Sequence, residues 1–370
     1  MAGGTVAYLA LRPHVAWARR AAGAMPALQP WELPTDAPRD DLERARALVG
    51  AAILAPSTWN SQPWRFEVDG ATIRLLADSS RALPIIDPTQ KSMMISLGAA
   101  LENLLITARA YGLRPTVSYF PRGAGNPEVA EVTWANGDVR RDRALFHAIP
   151  DRRTNRRVYD GRGIFPENRA QLIAQVPENY RLHWMDDRDD IKDLANVAKQ
   201  AAEARVLDRG VETEQLAWMR FGDDEARRRG DGVTVDELQF GGLARWFARR
   251  YFNPRSWFLR FGAQAAGKRA RESFRSSGAV VLLTSTQSGE TAWLVGGQAY
   301  ERFALRATSF GIAHHPINES IETERFRSDV LRRFEAVGEE PLMLVRVGHA
   351  RRPEPSPRRS VAYVASFRNS

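Results

Sequence analysis

Cysteine is absent from the 370 residues of the sequence, and histidine occurs six times. The absence of cysteine excludes disulfide bonds, thiolate metal sites, iron–sulfur clusters and cysteine nucleophiles. The histidines show no HExxH or other metal-binding spacing, which argues against a metal held by the protein. A GxGxxG motif is also missing, so a Rossmann-type dinucleotide site is not expected. The candidate functional residues are therefore polar and basic side chains.

Long uninterrupted apolar runs are missing from the N-terminal region. The segment from Thr5 to Ala24 is apolar, but three arginines and a histidine interrupt it. It is too short and too charged for a membrane-spanning helix, and it lacks the clean apolar core of a signal peptide. We expect residues 1–40 to form an N-terminal arm of a cytoplasmic protein, with membrane contact of the arm as the lesser alternative.

The charge of the chain is strongly positive, with a net charge of +9 and a pI of about 10.2. Such an excess favours nucleic acid, an anionic membrane surface or phosphorylated small ligands as partners, and a merely solvated basic surface is the plain alternative. No helix-turn-helix, zinc-finger or RRM signature accompanies the charge, so we expect no nucleic-acid partner. The length allows two domains or one large one.

The stretch Ala55–Phe66, with the sequence APSTWNSQPWRF, joins a predicted helix to a predicted hairpin. Apolar residues at helical spacing predict the helix over about 41–54, and Pro56 ends it. Alternating residues after Pro63 predict a strand, and the Asp69-Gly70 turn leads into a second strand over 71–77. The polar residues between helix and strand either direct several hydrogen bonds at one planar ligand or satisfy their own backbone as a capped turn.

A sequence repeat links two later segments. Gly98–Leu113 resembles Gly297–Ile312 at a constant offset of 199 residues (297 − 98), with both segments predicted to be helical. The identical pairs are Gly98/Gly297, Ala100/Ala299, Glu102/Glu301, Ala108/Ala307 and Gly112/Gly311. The repeat indicates two related halves in one chain, and chance similarity between two alanine-rich helices is the alternative.

The order P-S-x-x-N-x-Q-P-W-x-F, from Pro56 to Phe66, resembles the flavin-contacting loop of the FMN-dependent nitroreductase family. In that family the loop reaches the flavin from across a dimer interface. The resemblance implies that Ser57, Asn60 and Gln62 contact FMN. It also implies an α+β fold of mostly antiparallel sheets flanked by helices, in two pseudo-symmetric halves that resemble a fused dimer.

Three further motifs extend the resemblance. The run DRRTNRR from Asp151 is similar to the R-R-S-x-R stretch that holds the FMN phosphate in the family, although a solvated basic run is the alternative. The run HHPINE from His314 is similar to the P-I-x-G stretch beside the flavin ring, and SPRR near the C-terminus is similar to the closing basic pair. The implied contacts are Arg152, Arg153, Thr154, Arg156, Asn318, Glu319, Arg358 and Arg359. The adjacent His314 and His315 also suggest an acid/base pair, with a structural role as the alternative.

Within the family the chain most resembles the Acg-type branch. The resemblance implies an oxidoreductase that passes electrons from NADPH or NADH through FMN to a nitroaromatic, quinone or other small acceptor, and non-enzymatic storage of FMN is the alternative. We expect halves at 41–150 and 151–370, with an inserted segment at about 206–275. The aromatic residues of Phe240–Phe261 would form a lid over the flavin, a packed core or a membrane-surface helix. A monomer would already hold both halves, and a homodimer remains open.

Overall fold

The computed structural model describes residues 31–137, 143–238 and 262–368. Most of the predicted N-terminal arm and the aromatic run at 239–261 therefore lie outside the described residues. The helices are α1 (Asp41–Ala52), α2 (Lys91–Ala110), α3 (Arg143–Ala148), α4 (Pro166–Ile173), α5 (Arg188–Leu207), α6 (Arg209–Ala217), α7 (Asp223–Arg229), α8 (Gly262–Arg275), α9 (Glu290–Ser309), α10 (Glu319–Glu322), α11 (Glu324–Arg333) and α12 (Val361–Val364). The strands are β1 (Trp64–Asp69), β2 (Thr72–Ala77), β3 (Leu113–Tyr119), β4 (Glu128–Asn136), β5 (Tyr180–Met185), β6 (Met219–Arg220), β7 (Val233–Thr234), β8 (Ala279–Ser285), β9 (Ala313–Pro316), β10 (Glu340–Gly348) and β11 (Ala365–Arg368).

The strands form two main sheets that are mostly antiparallel. The first has the order β11-β1-β2-β4-β3, in which only the pairing of β11 with β1 is parallel among the described strands. The second has the order β5-β8-β10-β9 and is antiparallel throughout. A short parallel pair, β6 and β7, stands apart. Because helices flank antiparallel sheets, the predicted α+β class is confirmed.

Four strands of the first sheet correspond to the four strands of the second. The spatial order β1-β2-β4-β3 matches β5-β8-β10-β9, and in each set a long helix, α2 or α9, follows the second strand. Both ladders also contain an irregularity at the same point, where the pairing skips Val129 in β4 and Leu342 in β10. A shared bulge is a specific feature, because each one requires an extra residue in one strand. The correspondence supports the division into halves at residue 150, which stays a prediction.

Helices α2 and α9 cross where the two repeated glycines lie. A Cβ atom on Gly98 would stand 1.8 Å from the carbonyl oxygen of Leu294, and one on Gly297 would stand 2.1 Å from the carbonyl oxygen of Ile95. The two contacts are reciprocal, because Ile95 and Leu294 are separated by the same 199 residues as the glycines. Such an exchange of equivalent contacts is the geometry of a two-fold interface. No side chain fits at either position without moving the backbone.

Helix α2 lies at the centre of the molecule. By length and composition it could cross a membrane, but 94% of its apolar window is buried inside the protein, as in a core helix. Its residues pack against the first sheet, α1 and α9, in a single apolar cluster. Helix α2 therefore links the first sheet to α9.

Candidate functional site

A cavity lies at the junction of the two sets of strands. It contains about 990 Å³ of space, including space open to the solvent. The loop after α1 and the start of α2 contribute to its lining, together with residues around β9, α9 and α10. The lining residues are Pro56, Ser57, Thr58, Trp59, Ser92, Ile95, Ser96, Ala99, Thr154, Arg156, Arg205, Val233, Leu238, Tyr300, His315, Pro316, Asn318, Glu319, Glu322 and Met343.

The loop after α1 has an unusual backbone. Trp59, Asn60 and Gln62 have φ angles of 54°, 51° and 53°, in the left-handed region that side chains other than glycine rarely adopt. The hydroxyl of Ser57 accepts a hydrogen bond from the backbone N–H of Gln62 at 2.9 Å and closes the loop on itself. Three such residues in four positions persist only where the surroundings fix them.

The side chains of Asn60 and Gln62 help to hold the backbone of this loop through hydrogen bonds. The amide of Asn60 donates to the carbonyl of Gly232 at 2.9 Å, and the amide of Gln62 donates to the carbonyl of Gly230 at 2.8 Å. The oxygen of the Gln62 side chain accepts from the backbone N–H of Arg359 at 3.0 Å. Both side chains lie outside the cavity lining and join the loop to the inserted segment and the C-terminal tail.

Three of the predicted phosphate-binding arginines are buried around the same loop. Arg152 and Arg358 each donate to the carbonyl of Leu54 at 3.2 Å, at the end of α1. Arg359 donates to the carbonyl of Gln62. All three are at most 7% exposed, and none lines the cavity. Burial lowers the pKa of both Arg358 and Arg359 to about 9. These guanidinium groups therefore hold the backbone at the two ends of the polar loop.

The half-buried Arg153, the fourth arginine of this group, stacks on an aromatic ring. Its guanidinium lies 4.0 Å from the centre of the Trp31 ring, and burial lowers its pKa to about 10. It does not line the cavity. Of the eleven predicted ligand residues, the structure brings five to the cavity and six to the framework around it. The five are Ser57, Thr154, Arg156, Asn318 and Glu319, and the six are Asn60, Gln62, Arg152, Arg153, Arg358 and Arg359.

Arg156 carries positive charge into the cavity wall. Its guanidinium donates one long hydrogen bond, 3.4 Å, to the carbonyl of Glu237. Burial lowers its pKa, because the charged form loses hydration there. Beside it, Thr154 pairs with His314 in an isolated parallel bridge, which fixes the chain of the basic motif against β9.

Asn318 and Glu319 follow β9 at the cavity wall. The Asn318 side-chain oxygen accepts from the backbone N–H of Leu344 at 2.9 Å, so this side chain ties the segment to β10. Glu319 differs, because its Oε2 atom is buried and has no hydrogen-bond partner among the described residues. Buried polar atoms are nearly always paired, so an unpaired oxygen in a cavity wall indicates a place for a ligand or water donor.

Sequence reasoning missed several lining residues. Arg205 and Glu322 form an ion pair of 2.5 Å, and burial raises the pKa of Glu322. Tyr300 lies 3.5 Å from the His314 ring, and desolvation raises its pKa. A signal for Tyr300 existed, since it replaces Leu101 at the equivalent position of the repeat and brings a hydroxyl into an otherwise apolar helix face.

The two adjacent histidines do not act as a pair. Successive residues of a strand face opposite sides, and β9 places His315 in the cavity lining and His314 in the interior. His314 is 1% exposed, and burial together with the nearby charge of Arg152 lowers its pKa to about 3. His314 therefore stays neutral and structural.

The chain as a whole was compared with family models and with known proteins. No protein-family model matches the chain. The chain is 27% identical over 338 residues to the Mycobacterium tuberculosis protein named "Putative NAD(P)H nitroreductase Rv3131", covering 88% of this chain and 92% of that one. It is 26% identical to "Putative NAD(P)H nitroreductase acg" of the same organism, covering 87% and 95% of the two chains. It is 27% identical to "Probable NAD(P)H nitroreductase PigM" of a Serratia species, covering 87% and 93%.

Among solved structures, the FMN-dependent nitroreductase NfnB of Mycobacterium smegmatis, in complex with NADPH, matches at 18% identity and a TM-score of 0.40. The match covers 61% of this chain and 99% of that one.

Proposed function

We propose that the chain, which is similar over most of its length to putative NAD(P)H nitroreductases that include Acg, is an FMN-dependent oxidoreductase supplied with electrons by NADPH or NADH. One observation carries the proposal. The polar loop of the first half and the basic motif of the second half, which are about a hundred residues apart in sequence, line the same cavity through Ser57, Thr154 and Arg156. These are the two segments that the family resemblance assigns to opposite ends of one flavin.

The side chains of the cavity suit a flavin nucleotide. Arg156 offers a cation to an anionic oxygen, and the hydroxyls of Ser57 and Thr154 offer short polar contacts. Ile95 and Met343 give apolar surface for a ring system. The unpaired Oε2 of Glu319 is an acceptor in need of a donor. When bound, FMN would supply hydride and electron transfer, and the protein would bind, orient and shield it.

The buried arginines and amides have a positioning role in this proposal. Arg152, Arg358 and Arg359 fix the carbonyls on both sides of the polar loop, and Asn60 and Gln62 attach the loop to the segment at 230–232. They act on the flavin through the shape of the loop. These contacts hold the positive φ angles of Trp59, Asn60 and Gln62 and so keep Ser57 in the cavity lining.

The same proposal includes the electron acceptor, the oligomeric state and the cellular location. A small oxidant such as a nitroaromatic or a quinone would accept electrons in a cavity that is partly open to solvent. A monomer would hold a complete site, because both walls come from one chain. A cytoplasmic location would give access to reduced nicotinamide nucleotides.

An absorption experiment tests the proposal. The purified protein, saturated with FMN and freed of unbound ligand, is expected to show flavin bands in the visible region. Anaerobic NADPH or NADH should bleach those bands within minutes, and a quinone or nitroaromatic should restore them. A protein that retains FMN but never bleaches with either donor would be a storage protein, and a protein that retains no flavin would contradict the proposal as a whole.

A further inference from the structure

His315 lies in the cavity wall with one ring nitrogen already occupied. Its Nδ1 atom accepts a hydrogen bond from Nε of Arg346 at 3.2 Å, and the two residues face each other as register partners in β9 and β10. An arginine N–H can only donate, so Nδ1 carries no proton and the proton of the neutral ring is on Nε2. No described residue is bonded to Nε2, so this N–H is left for a ligand.

Arg346 is anchored so firmly that it fixes this tautomer. It is fully buried, and its guanidinium donates to the carbonyls of Ser273 at 3.0 Å, Asn155 at 3.1 Å and Arg157 at 2.7 Å. Its planar group also lies 3.9 Å from the centre of the Tyr159 ring. A donor held at these four other points does not turn away from His315, so the imidazole keeps its orientation.

The surroundings of His315 also keep it neutral. Burial lowers its pKa well below the ordinary value, and the charges of Arg346, Arg156 and Arg269 act in the same direction, as does the neighbouring His314. Arg156 itself lines the cavity. This end of the cavity therefore combines positive charge with an N–H donor that does not titrate near pH 7.

We propose that His315 and Arg156 form an oxyanion subsite, in which the neutral His315 ring donates from Nε2 to an anionic oxygen of the bound flavin nucleotide. The inference rests on the proposed flavin function. FMN offers two such oxygens, one on its phosphate and one on the pyrimidine ring of the reduced flavin. His315 is then a binding residue, and Arg346 is a positioning residue that acts through it.

Three variants test the subsite. His315→Phe keeps a flat ring in the strand but removes the donor, and His315→Gln keeps an N–H near the position of Nε2. Thr116→Phe is the matched control, because Thr116 in β3 stands 199 residues before His315 at an exposed site of the first sheet. Binding of FMN and of riboflavin is measured by flavin fluorescence, together with the midpoint potential of each bound flavin.

A phosphate partner would make H315F bind FMN on the order of tenfold to a hundredfold more weakly, as expected for a hydrogen bond to a charged group, while riboflavin binding stays unchanged. A ring partner would leave both oxidised flavins bound and lower the midpoint potential of both. Either result supports the subsite, provided that H315Q and T116F behave like the parent protein.

The inference is overturned if H315F matches the parent in FMN binding, riboflavin binding and midpoint potential. It is also overturned if H315Q loses as much as H315F. A parent protein that binds neither flavin would instead contradict the proposed function, so the two failures are distinguishable. Thermal unfolding of each variant identifies losses that come from the fold.

Discussion

Equivalent positions on the two sides of the α2–α9 crossing carry different side chains. On one side Ala99 and Asn318 line the cavity. On the other side the residues at the same offset of 199 are Gln298 and Tyr119, whose side chains share a hydrogen bond of 2.9 Å. Gln298 also donates to Glu102 at 2.9 Å. The space that is open beside Ala99 is thus occupied by the protein's own side chains beside Gln298.

The comparison separates what the backbone does from what the side chains do. The strand order, the bulges and the glycine crossing are shared by both sides, so the backbone alone does not decide where a ligand binds. The side with the cavity has Ala99 and Asn318, whereas the other side has the larger Gln298 and Tyr119 at the equivalent positions. This difference in side-chain size accounts for the difference in open space. Two buried glutamates extend the comparison, since Glu301 pairs with Arg152 at 3.4 Å and Glu102 pairs with Arg302 at 2.6 Å.

The largest effect is expected from breaking the Glu301 pair. At pH 8, above the raised pKa of Glu301, Arg152→Met should lower the free energy of unfolding by about 3–5 kcal/mol, because the ionised Glu301 would stay buried without its cation. Arg302→Met should cost far less, because Arg302 is 40% exposed and Glu102 keeps Gln298. Chemical denaturation of both variants measures the difference. Equal decreases in the free energy of unfolding would contradict this prediction, because they would show that the two ion pairs stabilise the protein equally.

Next in size is a pH effect from Glu301. Burial raises its pKa from 4.5 to about 7, so the native state holds a proton that the unfolded state releases between these values. Stability should therefore fall as the pH rises through this window, by up to about 3 kcal/mol from this group. Glu301→Gln should remove that slope. Denaturation curves at pH 5 and pH 7 test it, and an unchanged slope in the variant would contradict the assignment.

A smaller but more specific effect is expected at the cavity. Ala99→Gln copies the glutamine of the closed side into the open side, so it should weaken FMN binding on the order of a hundredfold, or about 2.7 kcal/mol. Arg156→Met should also weaken FMN binding, and it should keep the unfolding temperature of the parent. Ala99 is 1% exposed and belongs to the apolar cluster around α2, so the unfolding temperature of A99Q shows how much of its effect comes from the fold. Flavin titration with a thermal scan tests both. Full FMN binding by A99Q would show that the cavity beside Ala99 is not the flavin site.

The smallest effect is expected on the closed side. Tyr119→Phe removes the hydroxyl that donates to Gln298 and should cost about 1 kcal/mol of stability. FMN affinity should not change, because Tyr119 does not line the cavity. A change in FMN affinity, measured by the same titration, would mean that the two sides are coupled.

Much of the fold could be predicted from periodicity alone. The strand expected over 71–77 is β2, the helix expected over about 41–54 is α1, and the repeated glycines meet at the helix crossing. These features follow from short-range spacing, which the sequence displays directly. The strand β11 was missed, because its parallel pairing with β1 joins segments some 300 residues apart.

The site could be predicted only in part. The basic motif was expected to reach the ligand as a unit, but only Thr154 and Arg156 line the cavity, and Arg152 caps the end of α1. A guanidinium binds a carbonyl at a helix end as readily as a phosphate, and residue type does not distinguish the two. Strand alternation, by contrast, could have separated His314 from His315 in advance.

The most direct test of the comparison is the number of flavins bound by one chain at saturation. Protein saturated with FMN, separated from free ligand and measured for flavin and for polypeptide, is expected to hold one FMN per chain, in the cavity beside Ala99. Two FMN per chain would contradict the claim that Tyr119 and Gln298 close the equivalent side, and none would contradict the assignment of the cavity itself.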